Sequence, residues 1–328
     1  MSKKRWFALL IVIVLFAISL PAYSGQSNLD SLISSDQGWS EKVVEKGDGI
    51  NKEKVVVLDI NGVIQNSNNR SLFDTTDYNH ELFLKMLKRA GADPTVEGII
   101  LRVDSPGGGV VESAEIHRAI VDIQEAYKKP IYVSMGGMAA SGGYYVSAPA
   151  DKIFAHPSTI TGSLGVIMQS INFEKLADDL GIKFETIKSG PYKDIMSSSR
   201  EMRDDERALL QELIDESYEE FVRVIATGRN LTNEEVYKLA DGRIYSGKQA
   251  KQLNLIDELG TFDEVVAAML EHIGRGKLDV IHYEPSSNYF QKLLVTAEKS
   301  VFANQDILGV KQLLQQTNSP SLMYLYER

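Results

Sequence analysis

Four short apolar runs, Val55–Ile60, Gly98–Val103, Ile131–Met135 and Lys152–Ala155, constrain the fold more than any other feature of the chain. The first three are rich in Val and Ile, and the first two are the most continuous. A strand with one face in water alternates apolar and polar residues, whereas a continuous run is expected of a strand buried on both faces. After the first run, Asn61-Gly62 marks a turn, and a stretch dense in Asn, Ser, Thr and Asp (67–77) reads as a loop. A helix is predicted over about 78–90, with Leu82, Leu84, Met86 and Leu87 apolar and Gly91 as a stop signal. A second helix is predicted over about 111–127, closed by Lys129-Pro130. Strands joined by helical connections of this length pair in parallel through right-handed crossovers, so the core is predicted to be a layered βαβ arrangement of the α/β class.

Beyond Gly165 the pattern becomes mostly helical. Leu209, Leu210, Leu213, Ile214, Tyr218, Phe221, Val222 and Ile225 form an apolar stripe at helical spacing within 203–228. Thr232 and Glu235 stand as a capping box at the head of a further helix, and two more are predicted near 246–253 and 261–272. The 328 residues, 43% of them apolar, can bury a sizeable core, as two domains or as one large α/β domain with additions. We divide the chain into a segment 1–23, a polar stalk 24–54 rich in Ser, Asp, Gly, Gln and Lys, a folded body 55–283, and an extension 284–328. That extension ends in an apolar stretch, Leu322 to Tyr326, set off by Ser319-Pro320.

The first segment carries Lys3, Lys4 and Arg5 ahead of an unbroken apolar run from Trp6 to Ile18. Basic residues stay on the cytoplasmic side, so the rest of the chain is expected to be exported. The run is short for a span, which needs about 20 residues, and Ala22-Tyr23-Ser24 is an acceptable small-x-small cleavage site. Trp6 and Tyr23 bracket the run where amphipathic rings sit at a membrane interface, which favours a retained single-pass anchor with the body outside the cytoplasm. A net charge of -10 with interleaved basic residues argues against nucleic acid. The absence of cysteine excludes disulfides, thiolate metal sites and cysteine nucleophiles. No pair of histidines has zinc-ligand spacing, and no metal or cofactor is expected.

Two glycine-rich turns follow predicted strands and are each expected to open a helix: Ser105-Pro106-Gly107-Gly108-Gly109, and Gly136-Gly137 running on to Ala140-Ser141-Gly142-Gly143. In open α/β sheets this strand edge is where sites form, and glycines let the backbone come close to a ligand. Neither a P-loop lysine nor a dinucleotide fingerprint accompanies them. An oxyanion hole is the other use of such backbone, each N–H donor being worth roughly 3 kcal/mol of barrier. Ser141, between two small residues, has an accessible hydroxyl for nucleophilic attack, although the turn by itself equally suits an ordinary serine.

The segments Asp104-Ser105-Pro106-Gly107-Gly108-Gly109, Met138 to Tyr145, Thr161-Gly162-Ser163-Leu164-Gly165-Val166 and Ser189-Gly190-Pro191-Tyr192-Lys193-Asp194 occur in the order and approximate spacing of the signal peptide peptidase A family, peptidase family S49. The chain closely resembles the short Bacillus-type form of that family from about Val55 to Gly260. The resemblance implies a ClpP/crotonase-like fold with a helical C-terminal extension. It implies Ser141 as nucleophile, Lys193 as general base, Ser163 as the residue orienting that lysine, and Gly108 and Gly142 as oxyanion-hole donors. It also implies a ring-like homo-oligomer in which Ser141 and Lys193 of one site come from neighbouring subunits. Substrates would be remnants of cleaved signal peptides and other apolar, extended peptides at the membrane.

An ordinary lysine, with a pKa of about 10.4, is charged at neutral pH and cannot accept a proton. We therefore expect Lys193 to be buried, unpaired with carboxylates and within hydrogen-bond reach of Ser141, with Asp194 pointing away. The rival is a Ser–His–Asp arrangement, for which His156 is the best-placed histidine. A crotonase-type acyl-CoA enzyme would share the oxyanion geometry but would be cytoplasmic and would not need Ser141 or Lys193. The tail from Leu322 to Tyr326, apolar and extended in character, either packs on the body or occupies the substrate groove of its own or an adjacent subunit.

Overall fold

The computed structural model of the chain describes residues 38–48, 53–66, 78–285 and 322–326. In chain order the elements are β1 (Trp39–Glu45), β2 (Lys54–Asn61), α1 (His80–Ala92), β3 (Val96–Ser105), β4 (Gly107–Gly109), α2 (Val110–Tyr127) and β5 (Ile131–Ala140). There follow α3 (Gly142–Ser147), β6 (Lys152–Ala155), β7 (Ile160–Gly162), α4 (Glu174–Asp179), α5 (Asp204–Arg229) and α6 (Asn233–Leu239). The remainder comprises β8 (Ile244–Ser246), α7 (Gly247–Gln252), β9 (Glu258–Leu259), α8 (Phe262–Ile273), β10 (Asp279–Pro285) and β11 (Met323–Leu325).

The main sheet runs β1-β10-β2-β3-β5-β6-β9, with β7 joined to β5 and β8 to β7. Its centre, from β10 to β9, is parallel, and only the β1–β10 and β7–β8 pairs are antiparallel. This is the predicted α/β architecture, and the physical reason is visible in β2. Val56, Leu58 and Ile60 face one apolar cluster, beneath α1, α2 and α5, while Val55 and Val57 face another, beneath α8. Each such side chain removed from water contributes roughly 1.5–3 kcal/mol, which is why both faces of the run are apolar. Thr232 and Glu235 form the predicted capping box at α6.

Three expectations about the layout are corrected. The segment 24–54 is not a stalk throughout, because β1 is the edge strand of the sheet and pairs antiparallel with β10. Trp39, 8% exposed, stacks on Tyr283 with ring centroids 5.9 Å apart, so burial of one large ring anchors a strand whose other residues are exposed. Among the described residues beyond Gly165 the four expected helices are present, but the chain is less helical overall than expected. Residues 181–203 run without helix or strand, and β10 returns into the sheet between β1 and β2. Finally, Gly136-Gly137 does not open a helix. β5 continues through it, pairing with β6 before the glycines and with β7 after them. No described helix is long and apolar enough to cross a membrane. The expected anchor run, Trp6 to Ile18, lies outside the described residues.

Candidate active site

The bend in β5 carries the chain to Ser141, the residue between β5 and α3. Ser141 has φ +50° and ψ −114°, a conformation that an L side chain adopts only under constraint and at a cost of about 1–3 kcal/mol. Bonds on both sides hold it there. Its N–H donates to the Gly162 carbonyl (2.8 Å), and its carbonyl accepts from the Tyr145 N–H (2.9 Å). A sharp strand-to-helix turn of this kind presents a serine hydroxyl as an attacking group. The hydroxyl expected to be accessible is instead buried: Ser141 is 1% exposed, and its Oγ has no hydrogen-bond partner among the described residues. A buried hydroxyl without a partner costs about 1–3 kcal/mol and calls for a functional reason.

The two glycine stretches meet beside it. A methyl carbon placed on Gly142 would lie 3.0 Å from the Gly108 nitrogen and 3.1 Å from Gly107 Cα. One placed on Gly107, where φ is +106°, would lie 2.6 Å from the Gly142 nitrogen. The backbones of Gly107–Gly108 and Gly142 are therefore in contact, and only glycine permits the approach.

The apolar tail lies in this same place. β11 pairs antiparallel with β4, Tyr324 opposite Gly108, flanked by bonds from the Tyr326 N–H to the Pro106 carbonyl (2.8 Å) and from the Val110 N–H to the Leu322 carbonyl (3.3 Å). In an antiparallel ladder hydrogen-bonded pairs alternate, so the register makes Gly108 and Tyr324 a pair that exchanges N–H···O bonds. On the other edge of β11, Met323 and Ile167 exchange backbone bonds of 3.0 and 3.1 Å. The tail is thus a short strand clasped on both sides. The Tyr324 side chain is fully buried, with its ring 4.9 Å from Tyr145 and 4.6 Å from Phe221, and its hydroxyl donates to the Ser217 carbonyl (3.0 Å). The tail thus packs on its own chain, between β4 and Ile167 and beside the glycines next to Ser141.

Ser163 directly follows β7, with φ +50°, 9% exposed, its N–H donating to the Arg243 carbonyl (2.7 Å). Lys193 departs from expectation. It is exposed on the turn 190–196, and its side chain makes no hydrogen bond or ion pair with Ser141, Ser163 or any other described residue. The expected burial against Ser141 is not made within one chain, because this turn is fastened to α5 rather than to β5 or β7. Asp194 does point away, as expected: its carboxylate accepts from Lys188 (2.6 Å) and from Arg200 (2.8 and 2.9 Å).

His156 is exposed, accepts at Nδ1 from the Ser158 N–H (3.1 Å), and lines a cleft of about 340 Å³ with Arg102, Ser134 and Phe262 that does not include Ser141. The pocket residues Tyr145, Phe221 and Ile167 were not singled out as site residues from sequence. Tyr145 stood within a quoted motif, but Phe221 read only as part of a helical stripe.

The model of peptidase family S49 matches residues 123–274 of the chain, a span that includes Ser141, Ser163 and Lys193. Over its full length the chain is similar to an Enterococcus faecium protein named as a signal peptide peptidase SppA, 33% identical over 344 residues that cover 99% of each chain. A Synechocystis protein named as a protease is 40% identical over 266 residues, 80% of this chain and 91% of that one. Protease 4 of Salmonella typhi is 38% identical over 202 residues, 61% of this chain and 32% of its own length.

Proposed function

The chain belongs to peptidase family S49 and is a serine-type peptidase, and from that premise we propose that it is a membrane-anchored endopeptidase degrading signal-peptide remnants and other apolar, extended peptides outside the cytoplasm. The observation that carries the substrate reading is the tail. An apolar peptide lies as a strand between Gly107–Gly109 and Ile167, one aromatic side chain buried, its backbone against the glycines beside Ser141. Strand addition of this kind binds any extended peptide through its main chain and selects by pockets for alternate side chains.

In this reading Ser141 Oγ attacks the scissile carbonyl while Lys193 Nζ takes its proton. The Gly108 and Gly142 N–H groups hold the negative oxygen of the tetrahedral intermediate. The protonated lysine then passes its proton to the leaving amine, and water releases the acyl group by the same steps in reverse. Ser163 orients the lysine. We assign the layered βαβ core to the ClpP/crotonase-like kind, and the Trp6 to Ile18 run to a single-pass anchor.

Since Ser141 is buried and Lys193 exposed in one chain, we assign the base of each site to the neighbouring subunit of a ring-like homo-oligomer. The run ahead of Lys193 supports this. Ile171, Leu176, Leu180, Ile182, Phe184 and Ile187 are all exposed there, and apolar surface of that extent fits an interface.

The test is cleavage by the full-length chain in detergent, comparing an apolar peptide with a charged one of equal length. Preference for the apolar peptide, unchanged in His156→Ala, is expected. Loss of activity in His156→Ala would replace the lysine with a histidine, and cleavage of the charged peptide alone would remove the substrate reading. The tail gives a second expectation. Deleting residues 321–328 should lower KM for added peptide by on the order of tenfold, because a tethered competitor acts at high effective concentration. An unchanged KM would show that the tail does not compete for the groove.

A further inference from the structure

The turn that carries Lys193 has little of its own to hold it. Its internal bonds are short-range, Lys193 N–H to the Gly190 carbonyl (3.3 Å) and Ile195 N–H to the Tyr192 carbonyl (3.1 Å). Two guanidiniums tie it to the body, Arg203 at Pro191 and Tyr192, and Arg200 at the residue next to Lys193. Arg200 Nε and Nη2 donate to the two carboxylate oxygens of Asp194 (2.9 and 2.8 Å), and Nη2 also donates to the Asp194 carbonyl (2.9 Å). From its other side Arg200 donates to both oxygens of Glu206 (2.5 and 2.8 Å). Glu206 is fully buried in the first turn of α5, where it also accepts from the Arg203 N–H (3.1 Å). A 26-residue helix therefore fixes Glu206, Glu206 fixes Arg200, and Arg200 fixes the residue next to Lys193.

We propose that Arg200 is a positioning residue for the Lys193 base, locking its turn onto α5 and occupying the Asp194 carboxylate that would otherwise pair with the lysine. This rests on the reading of Lys193 as general base. Asp194 is the chain neighbour of Lys193, and a carboxylate turned toward that ammonium would favour the protonated lysine and leave no base. The planar fork of arginine grips two carboxylates through paired, directed N–H donors, a geometry the single ammonium of lysine does not match.

The ionisable groups bonded to the turn form one network. Lys188 precedes it and donates to Asp194 and to the Pro191 carbonyl. Tyr192 lies on it, beneath the Arg203 guanidinium and bonded to Asp205. Arg203 donates to the Pro191 carbonyl (3.1 Å) and pairs with Asp205 and Glu206. Asp194 is held well below the usual carboxylate range, first by the bonds from Arg200 and then by that from Lys188. Its folded-state pKa being depressed, the clamp is complete above the ordinary carboxylate range and is lost only as pH falls through the lowered value. The clamp therefore stays closed at every pH where a lysine base could work.

The experiment measures kcat, KM and the pH dependence of kcat/KM on the full-length chain in detergent. Arg200→Met is expected to lower kcat by about 100-fold through misplacement of the base, with KM changed little. It should also move the acid limb of the profile up by about one pH unit as Asp194 is released. Arg200→Lys should recover part of kcat. Adding Asp194→Asn to Arg200→Met should return the acid limb to the wild-type position while kcat stays low. Lys188→Met, which opens only one half of the clamp, should give a smaller shift in the same direction and serves if Arg200→Met does not fold. An unmoved acid limb, or one that Asp194→Asn fails to restore, overturns the proposal. Lys193→Ala, measured alongside, separates this from the reading beneath it. Full activity there removes the lysine base itself, whereas lost activity with an unmoved limb in Arg200→Met removes only the role of Arg200.

Discussion

Chains carrying Ser141→Ala, mixed with chains carrying Lys193→Ala, are expected to cleave peptide where neither variant does by itself. Each single substitution should abolish measurable turnover, since removing one member of a nucleophile–base pair typically costs about 10⁴-fold or more. Within one chain the two groups do not meet. Ser141 Oγ is buried without a partner among the described residues, and Lys193 is exposed. A head-to-tail ring would bring the lysine of each subunit to the serine of the next, so an equal mixture should contain about one quarter of its sites with both wild-type groups. Activity should therefore recover to about a quarter of wild type once subunits exchange. Exchange is checked by differently labelled chains. If labelled subunits mix and no activity returns, the site is not shared, and the 190–196 turn must instead swing onto Ser141 of its own chain.

Gly108→Ala is expected to cost at least about 100-fold in kcat/KM, the scale of one oxyanion donor, whereas Gly190→Ala should stay close to wild type. Both glycines stand in segments that carry the family resemblance, which implies a donor role for Gly108 and none for Gly190. The structure adds a steric ground. A methyl carbon on Gly108 would lie 1.9 Å from the Ile64 carbonyl oxygen and 2.7 Å from the Ile64 nitrogen, backbone atoms that cannot swing aside. The β4 strand, with its N–H, would have to move. At Gly190 nothing lies within 4 Å, and φ is not positive. Steady-state kinetics on an apolar peptide, with melting temperatures to exclude global unfolding, decides between them. Equal losses in the two variants would mean that the Gly108 backbone is not part of the reacting site.

Some features of the fold could be read from local pattern because their cause is local. The Val55–Ile60 run is apolar at every position but one since both its faces are covered, and the Thr232–Glu235 box caps α6 through atoms three residues apart. The Gly136-Gly137 pair was misread for the opposite reason. Its glycines resemble a helix-opening turn, yet they sit in β5 where Met138 N–H donates to Asp104 of the neighbouring strand (2.9 Å) and the strand changes partner from β6 to β7. β1 was read as stalk because only Trp39 among its residues is buried, and one ring leaves no periodicity to detect.

By itself the sequence determined the α/β class, the order of the central strands and helices, and the residue types at the reacting groups. These follow from hydrophobic runs, caps and glycines acting over a few residues. Only the tertiary structure decided that β10 enters the sheet between β1 and β2, that Ser141 is held at φ +50°, that the tail pairs with β4 beside it, and that Lys193 faces outward. Each of these depends on partners far away in the chain. Tyr324 meets Gly108, and the Lys193 turn takes its place from Glu206 of α5 through Arg200. Contacts across such distances are settled by which surfaces remain to be covered once the local elements have formed, and no short-range pattern records them.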